Sequence, residues 1–330
     1  MNREILITGG RPTGKFHLGH YVGAFKKFID LQQNYDSYFV LSDIHMLTTA
    51  ATRKAIEDIW NNALNMILDL IAMGVEPSNT KFYLQSNIPE MPYYYTLIQN
   101  FIDIKNIQNT PSLMNTINEM KDNANLSGVS LGLLAYPVME AADVMLLNAD
   151  IVSVGRDNID HIEIAKLIIE KINEESSIPL KLPRWISTEH NNILGTDGRR
   201  NMSKSLKNCI FISDSTDEVA EKVRAMNWDP INYEQNIVIK FLEIFSPETL
   251  SNKYLKENFY RNNENALKDL LIEVIEMLLK KMRERIKAYR ENQDELIKLL
   301  ILGTEEVREI ANASLNKLKR GLGYNQEYCI

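Results

Sequence analysis

The sequence predicts an α/β fold, a Rossmann-like doubly wound parallel sheet, with a C-terminal all-helical domain. In the first part, short apolar runs alternate with helical patterns. This alternation is typical of βαβ units, which build a parallel sheet with helices on both faces. After about residue 215, strand signals become scarce and helical stripes dominate. We therefore predict a Rossmann-like α/β domain over residues 1–215 and a helical domain over residues 216–330.

Four apolar runs in the first part predict strands: EILITG, YFVLSDIH, KFYLQSN and DIVSVG. We expect the first strand to end at Thr8, because Gly9 and Gly10 favour a tight turn. The stretch RKAIEDIWNNALNMILDLIAMG has apolar residues at three- and four-residue spacing and predicts a helix that ends at Gly74. In such sheets, ligands bind at the carboxyl ends of the strands.

The C-terminal part predicts helices only. NALKDLLIEVIEMLLKKMRERIKAY carries one continuous apolar stripe at helical spacing. We expect a second helix to begin near Thr304, which follows Gly303 as an N-cap and precedes two glutamates in the first turn.

Composition and charge narrow the class of protein. The 330 residues are 45% hydrophobic and 25% charged, with a net charge of −7, the balance of a globular chain that does not coat DNA non-specifically. Cys209 and Cys329 form no CxxC pair, which favours a reducing cytoplasm. The N-terminus lacks the apolar core of a signal peptide, and no apolar run reaches the roughly 18 residues of a membrane helix. We therefore expect a cytoplasmic protein without membrane contacts.

The stretch GGRPTGKFHLGHYVGAF combines turn-forming residues with two histidines. Gly14 permits a second tight turn, and a helix is expected to start near Leu18. A loop that leads into a helix N-terminus presents free N–H groups, which suit phosphate. His17 and His20 are three residues apart, so both imidazoles can point to one side. Gly19 leaves room for a flat group such as adenine. The alternative is that both histidines only cap the helix.

A second loop, GTDGRRNMSKSLKN, lies far downstream. Its two hydroxyls and the ammonium of Lys204 could close on a polyphosphate. Taken alone, this segment is also compatible with a solvated loop.

Together, the two loops resemble the HIGH and KMSKS signatures of class I aminoacyl-tRNA synthetases. Within that class the chain is most similar to the tryptophanyl-tRNA synthetases of the bacterial type. Further stretches support this in the family's order: LQSNIPE, AYPVMEAADVMLL and DIVSVGRDNIDHIEIAK. The resemblance spans roughly residues 3 to 324. It implies ATP-dependent activation of L-tryptophan to an adenylate, with release of pyrophosphate, and transfer to tRNA(Trp).

The resemblance also implies the site residues. His17, His20 and Lys204 are expected to act in catalysis. The positions expected to bind ATP are Arg11, Pro12, Thr13, Gly19, His20, Gly155, Arg156, Asp157, Ile193, Asn201, Met202, Ser203, Lys204 and Ser205. Asp143 is expected to accept the indole N–H, because indole offers one donor and no acceptor, and Tyr136 and Asn158 are expected to contact the amino group. Mg²⁺ is expected on the ATP phosphates rather than in a protein metal site. A homodimer, and tRNA binding by the helical domain, are implied as well.

The sequence departs from the family pattern at several positions. Asn158 replaces a glutamine, Glu140 stands where methionine or glutamine is common, and Thr8 stands where some members have phenylalanine. Asn201 replaces the first lysine of KMSKS. His45 and His161 are left out of the predicted site, because a histidine at the end of a helix or strand is more often structural.

Three alternatives remain open from the sequence. A tyrosyl-tRNA synthetase shares the fold and both loops, although the A-A-D run favours tryptophan. A nucleotidylyltransferase also carries H-x-G-H, but it needs neither the second loop nor a helical domain. A catalytically weakened regulatory paralogue would show decay of the motifs, of which Asn201 is the single instance.

Overall fold

The computed structural model describes residues 3–120, 129–188, 193–247 and 250–324. Its centre is a parallel sheet of five strands in the order β3-β2-β1-β4-β5. The strands are β1 (Ile5–Gly10), β2 (Asp36–Leu41), β3 (Thr80–Leu84), β4 (Ile151–Ser153) and β5 (Arg184–Ile186). The predicted doubly wound fold is confirmed. The strand order reverses between β1 and β4, and such a switch point opens a crevice at the carboxyl ends of the strands.

The sequence did not reveal β5. This strand has only three residues, it pairs with β4 at the edge of the sheet, and its first two residues are exposed. It therefore lacks the apolar run that marks a buried strand.

The expected end of β1 at Thr8 is wrong, because the strand continues through Gly9 and Gly10. A Cβ atom on Gly9 would lie 2.3 Å from Val40 Cγ1 on the neighbouring strand. Here glycine serves close packing inside the sheet rather than a turn. The left-handed residue of the following loop is Gly14, with φ of 104°.

Ten helices accompany the strands in the described part of residues 3–188. They are α1 (Leu18–His20), α2 (Lys26–Leu31), α3 (Asp43–Ala50), α4 (Arg53–Glu57), α5 (Ile59–Met73), α6 (Glu90–Ile98), α7 (Ile104–Ile107), α8 (Pro111–Met120), α9 (Leu131–Leu146) and α10 (Ile159–Glu175). A π-helical turn (Tyr21–Phe25) joins α1 to α2. As predicted, the long helix α5 ends at Gly74, which adopts φ of 117°. The five helices after residue 215 are α11 (Thr216–Arg224), α12 (Ile237–Phe245), α13 (Asn252–Tyr260), α14 (Glu264–Arg290) and α15 (Gln293–Gly321).

The core lies on both faces of the sheet. Leu6 faces one core and its neighbour Ile7 faces the other, as the two-residue period of a strand requires. The first core continues without a break into α14, whose Leu271 and Ile275 are buried in it. The helical part is therefore packed on the α/β layer.

The expected helix start at Thr304 is also wrong. α15 runs straight through this position, and Thr304 Oγ1 donates a hydrogen bond to the Leu300 carbonyl 2.7 Å away. A Cβ atom on Gly303 would lie 2.1 Å from the Phe82 carbonyl oxygen. The glycine thus lets α15 approach the backbone of β3.

Within the described ranges, no helix combines the length and apolar character that a bilayer span requires.

Candidate active site

The predicted site residues gather at the carboxyl ends of β1 and β4. Thr8 Oγ1 donates a hydrogen bond of 2.8 Å to the Ser153 carbonyl, which fixes the two strand ends side by side. The turn after β4 contains Gly155, Arg156 and Asp157. A Cβ atom on Gly155 would lie 2.5 Å from Asp157 Oδ1, so a larger residue here would displace the Asp157 carboxylate.

The rings of His17 and His20 lie against each other at the start of α1, with their centroids 3.7 Å apart and their planes tilted by 40°. The His17 backbone N–H donates to His20 Nδ1 over 3.2 Å, so this ring nitrogen carries no proton. Burial, followed by the nearby charge of Lys204, lowers the pKa of His17 to about 4. Burial, His17 and Lys204 lower the pKa of His20 well below its usual range. Both imidazoles are therefore neutral at pH 7.

The two histidines form a capping box at this helix start, in which the His17 side chain faces the His20 backbone N–H, but one buried nitrogen of the pair lacks a well-formed hydrogen bond among the described residues. His17 Nδ1 is buried and makes no hydrogen bond to any residue that the structure describes. A buried polar atom without a partner is costly, and it fits a site where a phosphate oxygen completes the hydrogen bond. Gly19 lies beside it, where a Cβ atom would come within 3.0 Å of the His17 ring and 3.3 Å of Met202 Cβ.

The NMSKS loop, residues 201–205, folds over this helix start. The Met202 backbone N–H donates to the Ile193 carbonyl over 2.8 Å, and Asn201 forms an antiparallel bridge with Leu194. Ser203 and Ser205 place their hydroxyl oxygens 3.0 Å apart. Lys204 Nζ donates over 3.2 Å to the carbonyl of Thr13, in the loop Arg11-Pro12-Thr13 that follows β1. The two sequence motifs are thereby brought into direct contact.

Asn208 organises the NMSKS loop, and sequence reasoning missed it. Its Oδ1 accepts the Ser203 backbone N–H over 2.8 Å, while its Nδ2 donates to the Asn201 carbonyl and to Asp197. A Cβ atom on Gly195 would lie 2.0 Å from Asn208 Nδ2. The signal in the sequence was weak, namely an asparagine three residues after Ser205, since asparagine side chains often satisfy backbone groups in loops.

Asp143 lies buried on α9, as expected for a carboxyl group that recognises a single donor. Its Oδ2 accepts from Gln85 Nε2 over 2.7 Å, and Gln85 is held in this orientation because its Oε1 accepts the His45 backbone N–H. Burial and the negative charge of Glu140 raise the pKa of Asp143 well above its usual range. Gln85, which the predictions omitted, thus claims one oxygen of Asp143 and leaves the other for a ligand.

Tyr136 is buried and packs against two histidines. Its ring stacks on His45 at 4.9 Å, and its Oη lies 3.0 Å from His161 Nε2. Glu140 contacts both histidines, through His45 Nδ1 at 3.2 Å and through His161 Nδ1. The structure therefore brings His45 and His161 to Tyr136, although the predictions left both histidines out of the site.

Two further predicted residues lie at the edge of these clusters. Arg11 is within electrostatic reach of both Lys204 and Glu140, so it lies between the NMSKS loop and the Glu140 side chain on α9. The side chain of Asn158 is exposed at the start of α10. Among the described residues, no three His, Cys, Asp or Glu side chains form a group that could hold a metal ion.

Comparison with known proteins identifies the family. The family model of class I tRNA synthetases for tryptophan and tyrosine matches residues 2–296. The tryptophan–tRNA ligase of Treponema pallidum is 33% identical over 96% of this chain and 96% of its own length. The chain belongs to the tryptophan–tRNA ligase family. The tryptophan–tRNA ligase of Chlamydia caviae is also 33% identical, over 99% of this chain and 97% of its own length.

Solved structures of the family agree with this assignment. Tryptophanyl-tRNA synthetase from Campylobacter jejuni, crystallised with ADP and tryptophan, superposes with a TM-score of 0.79 at 27% identity, over 97% of this chain and 99% of its own. A tyrosyl-tRNA synthetase from Archaeoglobus fulgidus reaches a TM-score of 0.65 at 22% identity over 86% of this chain and 90% of its own, a likeness of fold alone. The predicted resemblance to the tryptophan–tRNA ligase family is confirmed, and the tyrosine alternative is not favoured.

Proposed function

We propose that this chain activates L-tryptophan with ATP and transfers it to tRNA(Trp). The observation that carries the proposal is the contact of Lys204 with the Thr13 carbonyl, which closes the NMSKS loop over two neutral histidines. Arg11 is within electrostatic reach of both Lys204 and Glu140, and Glu140 lies three residues from Asp143 on α9.

The first step needs alignment rather than a base. A carboxylate oxygen of tryptophan attacks the α-phosphorus of ATP, the bond from this phosphorus to the bridging oxygen breaks, and pyrophosphate leaves with the electron pair. The attacking group is already ionised, so the chain supplies position and charge stabilisation. Lys204 provides a cation for the leaving pyrophosphate. The neutral ring nitrogens of His17 and His20 contribute hydrogen bonds without repelling the lysine.

The ATP subsite is proposed on the residues around these motifs. Arg11, Pro12 and Thr13 border the phosphates, Gly19 gives the adenosine access to the backbone, and the turn Gly155-Arg156-Asp157 lies under the ribose. Mg²⁺, when bound, neutralises charge on the phosphate oxygens. In the absence of a side-chain cluster for a metal among the described residues, we place it on the phosphates.

Tryptophan is selected at the other end of the site. Burial and Glu140 favour a proton on the Asp143 carboxyl in the empty pocket, and an indole N–H directed at the oxygen that Gln85 leaves open favours the ionised form. Asp143 then releases its proton to solvent and accepts the indole N–H, whereas the phenol of tyrosine presents its donor at a different position on the ring. A substrate without a donor at this position would leave the buried Asp143 carboxyl unpaired, and this cost discriminates strongly against it.

Transfer to tRNA completes the proposed reaction. A hydroxyl of the terminal adenosine attacks the carbonyl carbon of the adenylate, and AMP leaves. We place the anticodon on the exposed face of α13, which presents Lys253, Lys256 and Arg261 together with Tyr260, 72% exposed. Cations and aromatic rings are the groups that hold single-stranded bases. A homodimer in the cytoplasm forms part of the same proposal.

The direct test is ATP–pyrophosphate exchange with each of the twenty amino acids in parallel. We expect exchange to depend on tryptophan and to be weak with tyrosine and phenylalanine. Exchange that is faster with tyrosine than with tryptophan would overturn the assignment of the substrate.

A further inference from the structure

Glu140 lies on the same face of α9 as Tyr136 and Asp143, at spacings of four and three residues, which bring side chains together on one side of a helix. Tyr136 and Asp143 are buried, whereas the Glu140 side chain remains 29% exposed. The Glu140 side chain is therefore the partly exposed one between the two residues proposed to bind tryptophan.

Two imidazoles from neighbouring helices hold the Glu140 carboxylate. His45 on α3 approaches Oε1 at 3.2 Å, and His161 on α10 contacts Oε2. A carboxylate has about four acceptor positions, so each oxygen keeps room for a further donor. The group is fixed in place without being saturated.

The hydrogen bonds around His161 define its charge. Ser112 Oγ donates its one proton to Asp160 Oδ2 over 2.6 Å, so the 2.6 Å contact between Ser112 Oγ and His161 Nε2 requires a proton on this nitrogen. The contact of His161 Nδ1 with the Glu140 carboxylate requires a proton on the other nitrogen. His161 is therefore an imidazolium, and Glu140 is its anionic partner.

The pKa values of Glu140 and of both histidines agree with this assignment of protons. Burial raises the pKa of Glu140, but His161, His45 and Arg11 outweigh burial and lower it to about 2. The pKa of His161 is raised because Glu140 outweighs the effect of burial. Burial lowers the pKa of His45 to about 4, so His45 is neutral and donates through Nδ1.

The other candidates for binding an ammonium group are weaker. Tyr136 Oη is already engaged with His161 Nε2, 3.0 Å away, and Tyr136 is an uncharged phenol. The Asn158 amide is neutral and its side chain is exposed at the start of α10. We infer that Glu140 binds the α-ammonium of the amino-acid substrate and thereby selects amino acids over deaminated analogues. This inference rests on the proposed function, and it follows from the greater strength of hydrogen bonds between charged groups.

Calorimetric binding of tryptophan and of indole-3-propionate to the wild type and to Glu140→Gln tests the inference. Glutamine keeps the shape of the side chain and removes its charge. We expect tryptophan to bind about 10- to 100-fold more weakly, the scale of losing a charged hydrogen-bond partner. Indole-3-propionate, which lacks the ammonium, should change by less than about threefold on the same reasoning.

Equal weakening of both ligands would show that Glu140 acts only in packing and would overturn the inference, as would unchanged binding of tryptophan. A comparison within the wild type covers the case in which the glutamine variant does not fold. Tryptamine, which keeps the ammonium, should compete with tryptophan better than indole-3-propionate does, and the reverse order would contradict the inference. Tryptophan-dependent exchange by the wild type establishes the proposed function separately.

Discussion

At the scale of single residues, substrate binding depends on which oxygens and nitrogens already have hydrogen-bond partners. Asp143 has one oxygen bound by Gln85, and His17 has one buried nitrogen without a partner among the described residues. The two open positions lie in different parts of the site and match different substrates, an indole N–H and a phosphate. The sequence identifies both residues, but only the structure shows which of their atoms are free.

Asp143→Ala should lower kcat/KM for tryptophan by about 2–4 kcal/mol, because the indole N–H loses its buried acceptor. Asp143→Asn is the matched control for packing. Its single carbonyl is claimed by Gln85, so we expect a loss on the same scale although the volume is kept. Exchange kinetics give both values. If Asp143→Asn stays within about threefold of the wild type, the second oxygen of Asp143 is not the acceptor.

His17 should make the fold sensitive to acid. Its pKa is about 4 in the folded chain and about 6.5 when unfolded, so the unfolded state binds its proton first. The free energy of unfolding therefore falls as the pH drops from about 6.5 towards 4. Between pH 7.5 and 5, this residue should account for about 2 kcal/mol of the loss.

Urea unfolding of the wild type and of His17→Asn at the two pH values measures this effect. His20 and His45 shift in the same direction, so the informative quantity is the difference between the two proteins. Equal losses in both proteins would contradict a buried neutral His17.

At the scale of elements, the NMSKS loop is connected to two other segments. Its backbone pairs with residues 193–194, and Lys204 contacts the loop that follows β1. Asn201 replaces the lysine that the family pattern has at the first position, so Lys204 is left as the cation of this loop nearest to the Thr13 carbonyl. Asn208 holds the backbone that carries it. The position of the Lys204 ammonium is thus set by the conformation of the whole NMSKS loop rather than by the lysine side chain alone.

Lys204→Ala should lower kcat of exchange by about 10²–10³-fold, the scale of losing one preorganised charge partner, with little change in KM for tryptophan. The leaving pyrophosphate gains charge in the transition state, so a cation stabilises it more than the ground state. Lys207→Asn is a suitable control, because Lys207 has φ of 53° and asparagine tolerates this conformation. A kcat for Lys204→Ala within about threefold of the wild type would remove the loop from the mechanism.

Glycines mark the limit of prediction at this scale. Gly14 and Gly74 adopt positive φ where a turn or helix end was expected. Gly9 and Gly303 were expected to mark similar boundaries, but they lie inside a strand and a helix because another backbone or side chain comes too close for a Cβ atom. A single sequence cannot distinguish the two uses, since the approaching atoms, Val40 Cγ1 and the Phe82 carbonyl, are distant in the chain.

At the scale of the whole molecule, α15 connects the helical part to the sheet. Tyr38 on β2 donates to Glu306 over 2.9 Å, and α15 closely approaches β3 at Gly303. The change of pattern near residue 215 predicted the order of elements well, but it could not reveal that the last helix returns to the α/β layer. The boundary between 1–215 and 216–330 stays a prediction about function, with tRNA recognition placed on the later part.

Alanine substitution of Lys256, Tyr260 and Arg261 together should impair tRNA charging by about tenfold or more while exchange stays within about twofold, because these exposed groups would contact single-stranded bases. Lys171→Ala on α10, also exposed, serves as the control. Initial rates of both reactions are compared on the same preparations. A matched loss in both reactions would count against an anticodon-binding role for α13.

The motif residues of the site could be predicted from the sequence, but the contacts between side chains of different elements could not. His17, His20, Lys204 and Asp143 follow from local patterns that resemble a family. The roles of His161 and Gln85 depend on partners in other elements, and nothing in their immediate neighbours along the chain indicates those partners. Glu140 shows this most clearly, because its two imidazole partners come from two other helices, His45 from the distant α3 and His161 from α10, which follows α9.

Charging of tRNA(Trp) with labelled tryptophan is the decisive measurement, with tyrosine and tRNA(Tyr) as the paired control on the same preparation. We expect ATP-dependent formation of tryptophanyl-tRNA at a rate that is linear in enzyme concentration, and background levels of tyrosyl-tRNA. Formation of tyrosyl-tRNA in preference to tryptophanyl-tRNA, or failure of purified, folded protein to charge either tRNA, would contradict the proposed function.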